Sequence, residues 1–185
     1  MKIACKSKIF SINEMYIKER YKEKVKYWLT FNEINCATLT TGSMQSINNI
    51  KGYTGPWTEL EDKPQERFQG LHHQFVASAI VTKYAHEHYP NFMIGCMIAY
   101  LPFYAYTCSP DDIIEAQHLQ QIINYFCSDV QLRGYYPSYS KRYFEENNIE
   151  IVMDYSGSMS NWIDAAKNAM ATIVSQIPTA TNVGF

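Results

Sequence analysis

Residues 24–36 read Lys24-Val25-Lys26-Tyr27-Trp28-Leu29-Thr30-Phe31-Asn32-Glu33-Ile34-Asn35-Cys36. The β-branched and aromatic run from Val25 to Phe31 predicts a buried strand. Asn32 and Glu33 fall just past its carboxyl end. In parallel α/β folds that end of a strand is where ligand and catalytic groups gather. A carboxyl group there, beside an amide, can give a proton to a bound substrate or take one from it. The same position suits a Glu that only faces water, and position alone does not separate the two.

On the carboxyl side of this stretch, Ala37 to Pro64 is a long connection rich in Gly, Asn, Thr and Pro. Loops of that length tend to be functional. Trp57 within it suits either a stacking platform for a ligand ring or a cap on the core. Glu66 to His88 then predicts a helix with Phe68, Leu71, Phe75 and Ala79 as its buried stripe. His72 and His73 point about 100° apart on such a helix and cannot share a ligand. His86-Glu87-His88 lacks a third ligand at metal spacing and reads as a solvated helix end, which Pro90 stops.

Met93 to Tyr100 is a nearly continuous apolar run, as in a strand covered on both faces, and Pro102 ends it. Ser109-Pro110-Asp111-Asp112 is a helix start, with Ser109 as cap, Pro110 in the first turn and Asp112 at the capping-box position. Leu119, Ile122, Ile123, Phe126 and Val130 form the next helical stripe, broken by Gly134 and Pro137. Ser138 to Asn147 reads as one more short polar helix. Strand, helix, strand, helix is the order of a parallel α/β unit. Two strands cannot close a barrel, so apolar strand edges should stay open and stability should be poor.

Composition narrows the options. At 185 residues one good core can be buried, but a complete (β/α)₈ barrel needs about 200 at least. A net charge of −2 gives no footprint for nucleic acid. The 15 tyrosines suit a carbohydrate-handling surface or an ordinary core. Five cysteines, with no Cys-x-x-Cys pair, argue against disulfides and zinc and for free thiols in a reducing cytoplasm. No apolar run reaches the length of a transmembrane helix, and the N-terminal stretch does not read as a signal peptide. No membrane partner is expected.

Together these motifs resemble glycoside hydrolase family 1. Lys24 to Asn35 looks like that family's fourth-strand motif. The likeness continues through Gln65-Glu66-Arg67-Phe68-Gln69-Gly70-Leu71-His72-His73-Gln74-Phe75-Val76-Ala77-Ser78-Ala79. It runs on in Ile94 to Tyr100, Tyr104 to Asp112, Asp129 to Pro137 and Arg142 to Asn147. The wording is closest to the 6-phospho-β-glucosidase branch. The resemblance spans about residues 16 to 149, beginning in the basic, helix-like Tyr16 to Lys26. It implies an α/β fold: a partial (β/α)₈ TIM barrel around the fourth and fifth βα units. It leaves residues 1–15 unassigned and assigns 16–148 to the partial barrel. The first three strands, with the Gln and His that hold the sugar in family members, have no counterpart here.

The remaining residues, 149–185, resemble something else. Ile149-Glu150-Ile151-Val152-Met153-Asp154-Tyr155-Ser156-Gly157-Ser158 is similar to the opening of a von Willebrand factor A-type domain. There a buried strand leads into Asp-x-Ser-Gly-Ser and then a helix. The likeness implies one βα unit of a doubly wound fold. It also implies a divalent-ion site built from Asp154, Ser156 and Ser158, hard oxygen ligands suited to Mg²⁺.

Members of family 1 hydrolyse β-glycosides with retention, using one Glu as acid/base and a second as nucleophile. The resemblance assigns the acid/base to Glu33 and a contact with the sugar 2-hydroxyl to Asn32. It implies a small-molecule glycoside as substrate, 6-phosphorylated in this branch, and no cofactor for the hydrolysis. No Thr-Glu-Asn-Gly-type nucleophile motif occurs in the sequence, nor does the basic loop that grips the sugar phosphate. The expectation is therefore a glycosidase by ancestry with little activity of its own. The alternatives are a metal-dependent binding module carried by the C-terminal segment, and a joined chain without a function of its own. The sequence does not indicate an oligomeric state.

Overall fold

The computed structural model describes residues 20–42, 55, 56, 59 and 61–152. Two strands, β1 (Tyr27–Leu29) and β2 (Met93–Gly95), pair in parallel. Tyr27 lies opposite Met93, Trp28 opposite Ile94 and Leu29 opposite Gly95. A parallel pair needs a crossover of about a dozen residues or more, and α1 (Pro64–His88) supplies it. Beyond β2 the chain runs irregularly to α2 (Pro110–Leu119). A π-helical segment, Gln120–Tyr125, leads directly into α3 (Phe126–Arg133). Gly134 ends α3 at φ 75°, its amide bonded to the Val130 carbonyl, a left-handed cap that suits glycine. The last described helix is α4 (Ser138–Glu146).

The expected strand-helix-strand-helix order is present, but the strands differ from expectation. Val25 to Phe31 and Met93 to Tyr100 each keep only three strand residues. Neither is buried on both faces. Tyr27, Leu29 and Met93 share one sheet face and are 72%, 53% and 56% exposed. Among the described residues each strand has a single neighbour, and that face stays largely open. Past Gly95, the backbone polar groups of Ala99 and Leu101 are bonded by asparagine side chains instead of a strand ladder.

The core lies on the helical side. Phe68, Leu71 and Phe75 of α1 are buried as the 3.6-residue period predicts, while Ala79 is half-buried and the stripe continues in Val81 and Ala85. Phe68, Leu71 and Phe75 meet Ile34, Ala37, Phe126, Cys127 and Val130. Phe68, Phe126 and Phe144 pack edge-on at centroid distances of 5.3 to 6.1 Å, a geometry favoured by the ring quadrupoles. The second stripe is interrupted by the π-helical segment: Ile122, Phe126 and Val130 are buried, and Leu119 and Ile123 only half so. Ser109 sits at the cap of α2 without a side-chain bond. Asp112 reaches back to the Thr107 amide and hydroxyl instead.

α4 ends on Asn148 at φ 53°. The Asn148 amide donates to the Glu145 carbonyl and the Ile149 amide to the Phe144 carbonyl, the paired bonds of a Schellman motif. Ile149 is buried in the same core as Phe68 and Phe126. Glu150 and Val152 then bond to α1. The Gln65 amide donates to the Glu150 carbonyl at 2.6 Å and accepts from its N–H at 2.8 Å. Gln69 does the same for Val152 at 3.0 and 2.8 Å. Four residues of helix rise about 6 Å and two of extended chain about 6.6 Å, so the helical and extended spacings match. Residues 149–152 form no strand. The rest of the von Willebrand factor A-like stretch, with Asp154, Ser156 and Ser158, lies outside the described residues, as does Trp57.

Candidate active site

β1 delivers the chain to a tight corner. Thr30 is buried, and its hydroxyl pairs with that of Ser78 on α1 at 2.8 Å. Gln131 of α3 donates to the Ser78 hydroxyl at 3.0 Å and to that of Thr30 at 3.4 Å. Phe31 is half-buried and Asn32 exposed. Glu33 then takes a left-handed backbone, φ 45° and ψ 50°, a conformation that costs a non-glycine residue about 1 kcal/mol. The chain drops at once into a fully buried 3₁₀ turn, Ile34–Thr38. Glu33 is thus half-buried at the carboxyl end of β1, its side chain beyond the last strand residue.

The turn is fixed from both sides. Asn35, 1% exposed, accepts from the Ala99 amide at 2.8 Å and donates to the Ala99 and Ile123 carbonyls at 2.8 and 2.9 Å. Three such bonds are worth about 1 kcal/mol each net, enough to offset the strain at Glu33. Asn124, in the π-helical segment, treats the next stretch likewise. It accepts from the Leu101 amide at 2.9 Å and donates to the Leu101 carbonyl at 2.6 Å. The two asparagines hold the chain leaving β2 at the same carboxyl edge of the sheet as Glu33. Beyond it Tyr100, Tyr104 and Tyr106 stand exposed.

Behind the turn, Arg67 (2% exposed) forks onto Asp62 and donates to the carbonyls of Ala37 and Thr38. Next to Glu33, the Cys36 thiol lies 3.9 Å from Glu33 Oε2. Burial, and then the Glu33 carboxylate, raise the thiol's pKa. Burial pushes Cys96 up to about 11 and Cys127 well above the ordinary thiol range. The four described cysteines are free.

His72 and His73 do not converge on a ligand. Their rings are 5.7 Å apart; His72 Nδ1 bonds the Tyr136 hydroxyl at 2.8 Å, and His73 Nε2 meets Gln69 Nε2 at 3.1 Å. Burial, then His73, push His72 down to about 4, and burial lowers His73. His86, Glu87 and His88 are exposed at the helix end. Among the described residues no group of three or more His, Cys, Asp or Glu is placed to hold a metal ion. No described helix is long and apolar enough to cross a membrane.

Sequence reading singled out Asn32 and Glu33, which lie at this corner, but not the residues that build it. Asn35 is the one amide in a buried turn whose other residues are Ile34, Cys36, Ala37 and Thr38, and that was the available signal. Nothing local marks Arg67, Gln65 or Gln69, whose partners lie up to 85 residues away.

Comparison with known proteins places these observations. Residues 8–175 match the family described as glycosyl hydrolase family 1, a match that runs past residue 149 and across Asp154, Ser156 and Ser158. The chain is 45% identical over 148 residues to a 6-phospho-beta-glucosidase of Clostridium longisporum, covering 78% of this chain and 29% of that protein. It is 43% identical over 152 residues to aryl-phospho-beta-D-glucosidase BglH of Bacillus subtilis, covering 79% and 30%. It is 42% identical over 133 residues to 6-phospho-beta-glucosidase AscB of Escherichia coli, covering 72% and 26%. The chain thus spans less than a third of the length of these relatives. In structure it is similar to a beta-glucosidase from Exiguobacterium marinum, with a TM-score of 0.61 at 18% identity, over 87% of this chain and 34% of that one. That likeness concerns the fold, a partial barrel of TIM type. The chain belongs to glycosyl hydrolase family 1.

Proposed function

We propose that the chain carries the acid/base half of a retaining β-glycosidase site, for which 6-phospho-β-glucosides are the substrate class. The observation that supports this most is Glu33, half-buried at the carboxyl end of β1 and set in a corner held by buried side chains. Glu33 would protonate the glycosidic oxygen as the bond breaks and later take a proton from water. Asn32, exposed beside it, would contact the sugar 2-hydroxyl. The names of the curated relatives support a phosphorylated glucoside.

The retaining route also needs a nucleophilic carboxylate about 5 Å from the acid/base. The sequence has no Thr-Glu-Asn-Gly-type motif to supply it. The chain by itself should therefore bind the glycoside weakly and turn it over little or not at all. Incubation with p-nitrophenyl 6-phospho-β-glucoside tests this. Release of nitrophenol that vanishes in Glu33→Gln would overturn the inactivity and keep the role of Glu33. The cytoplasm is the compartment this reading implies.

A second reading rests on the sequence Asp154-Tyr155-Ser156-Gly157-Ser158. Its donors are hard oxygens that suit Mg²⁺, as in the opening of a von Willebrand factor A-type domain joined at residue 149. Calorimetric Mg²⁺ binding that disappears in Asp154→Ala would support it, and no heat from the unaltered chain would dismiss it.

A further inference from the structure

We infer that Asn35 is the positioning residue for Glu33: its buried amide, bound to Ala99 and Ile123, holds the Glu33 backbone in the left-handed conformation that sets where the carboxylate points. The inference deepens the acid/base reading of Glu33 and rests on it.

A left-handed glutamate persists only where its surroundings over-determine it. On the strand side, Thr30 is tied to Ser78. Between Thr30 and the turn, Phe31 is half-buried and Asn32 exposed. On the other side the constraint is immediate. Asn35 lies two residues past Glu33 and spends its amide on three backbone atoms. Those atoms belong to separate parts of the chain, 64 and 88 residues away. The Glu33 carbonyl itself is held by the Cys36 amide at 2.9 Å, inside the turn that Asn35 anchors. Rotation of Glu33 into the ordinary helical or extended region would swing residue 35 off Ala99 and Ile123 and leave a buried amide and two carbonyls unpaired. Asn35 is matched by its shape as well as its polarity. It must accept from one N–H and donate to two carbonyls at once, which an Asp, with two acceptor oxygens, cannot do.

Asn124 provides the control. It is also buried and also binds a backbone N–H and carbonyl at the sheet's carboxyl edge. Its target is Leu101, two residues past the Ala99 that Asn35 binds, and neither of these bonds reaches the Glu33 turn itself. A merely structural role would make the two asparagines equivalent.

The test uses the full chain, isotope-labelled for NMR. The readout is the strong intraresidue amide-to-Hα cross-peak of Glu33 that marks positive φ. Asn35→Ala should lose that peak, and Asn35→Ser, which keeps one hydroxyl for Ala99, should retain it in part. Asn124→Ala should leave it intact. The inference fails if a folded Asn35 variant keeps the full peak, or if Asn124→Ala removes it equally. It also fails if neither Asn35 variant folds, since Asn35 would then be a general structural residue. Glu33→Gln is measured alongside, for binding of a 6-phospho-gluco-imidazole whose basic nitrogen stands in for the glycosidic oxygen. Unchanged binding in Glu33→Gln sinks the acid/base reading whatever Asn35 does. A loss of tenfold or more in Glu33→Gln, with an unmoved Glu33 peak in the Asn35 variants, sinks the positioning role alone.

Discussion

Arg67 meets Asp62 through two parallel bonds, Nε to Oδ1 at 2.8 Å and Nη2 to Oδ2 at 2.9 Å, while its third nitrogen holds the carbonyls of Ala37 and Thr38. One side chain thus joins the first turn of α1 to the end of the buried turn after Glu33. Its guanidinium also lies 4.9 Å from the Phe68 ring centroid. Truncating one member of a buried, hydrogen-bonded pair costs about 3–5 kcal/mol. Asp62 keeps some contact with water, so Arg67→Ala should fall near the lower end. Arg67→Lys should lose most of the same amount, because an ammonium cannot reproduce the fork. Urea titrations of both variants check this; a lysine variant as stable as the parent would contradict it.

Phe68 is buried against Phe126, Tyr143 and Phe144. Phe68→Ala should destabilise by about 3–5 kcal/mol through lost burial and the cavity left behind. The change should appear as a lower denaturation midpoint, or as failure to fold. Phe68→Leu should cost visibly less.

His72 gives the protein an acid limit. Its folded pKa is about 4 against an ordinary 6.5, so between those values the unfolded chain binds the extra proton. Stability contributed by the neutral imidazole is complete above pH 6.5 and lost progressively as pH falls toward 4. His73 shifts in the same direction. For a nearly buried ring such as His72 the effect amounts to about 3 kcal/mol. Melting temperatures between pH 7 and 4 should decline, and the decline should flatten in His72→Gln. An unchanged slope in that variant would exclude His72 as the cause.

Cys36 should alkylate slowly, since burial and the Glu33 carboxylate both disfavour its thiolate. Of the described cysteines, Cys108, exposed, should react first with a water-soluble disulfide reagent. Glu33→Gln should move the Cys36 titration downward and speed its modification, as measured by mass spectrometry across a pH series. A rate indifferent to Glu33 would place the carboxylate farther from the sulfur than 3.9 Å.

Gln65→Ala and Gln69→Ala should each release one of the paired contacts to Glu150 and Val152, at about 1 kcal/mol apiece. Hydrogen exchange offers the sharper readout. The Glu150 amide should lose protection in the first variant and the Val152 amide in the second, with α1 itself unaffected.

The helices were legible because their information is local. The spacing of Phe68, Leu71 and Phe75 sets the inner face of α1 without reference to anything distant, and Gly134 and Pro137 stop α3 where they stand. The strands were less so. An apolar run reports only that a strand would be buried if neighbours existed, and among the described residues Tyr27, Leu29 and Met93 remain exposed on their shared face. Glu33 was singled out from its place after an aromatic run, but its positive φ was not legible, since glutamate has no bias toward that conformation. Asn35, Arg67 and Gln69 look in sequence like ordinary polar residues. Their roles depend on contacts 29 to 88 residues away, which no short window contains.

At residues 150 and 152 the paired glutamines on α1 bind only main-chain atoms. They are therefore indifferent to which side chains stand at positions 150 and 152, while Ile149 and Ile151, turned toward the core, must stay apolar. Such a clasp tolerates sequence drift at alternate positions but resists insertion or deletion of a single residue, which would exchange the two sets. Any polypeptide continuing from this unit is thereby launched from one fixed point and heading at Val152, whatever its own sequence.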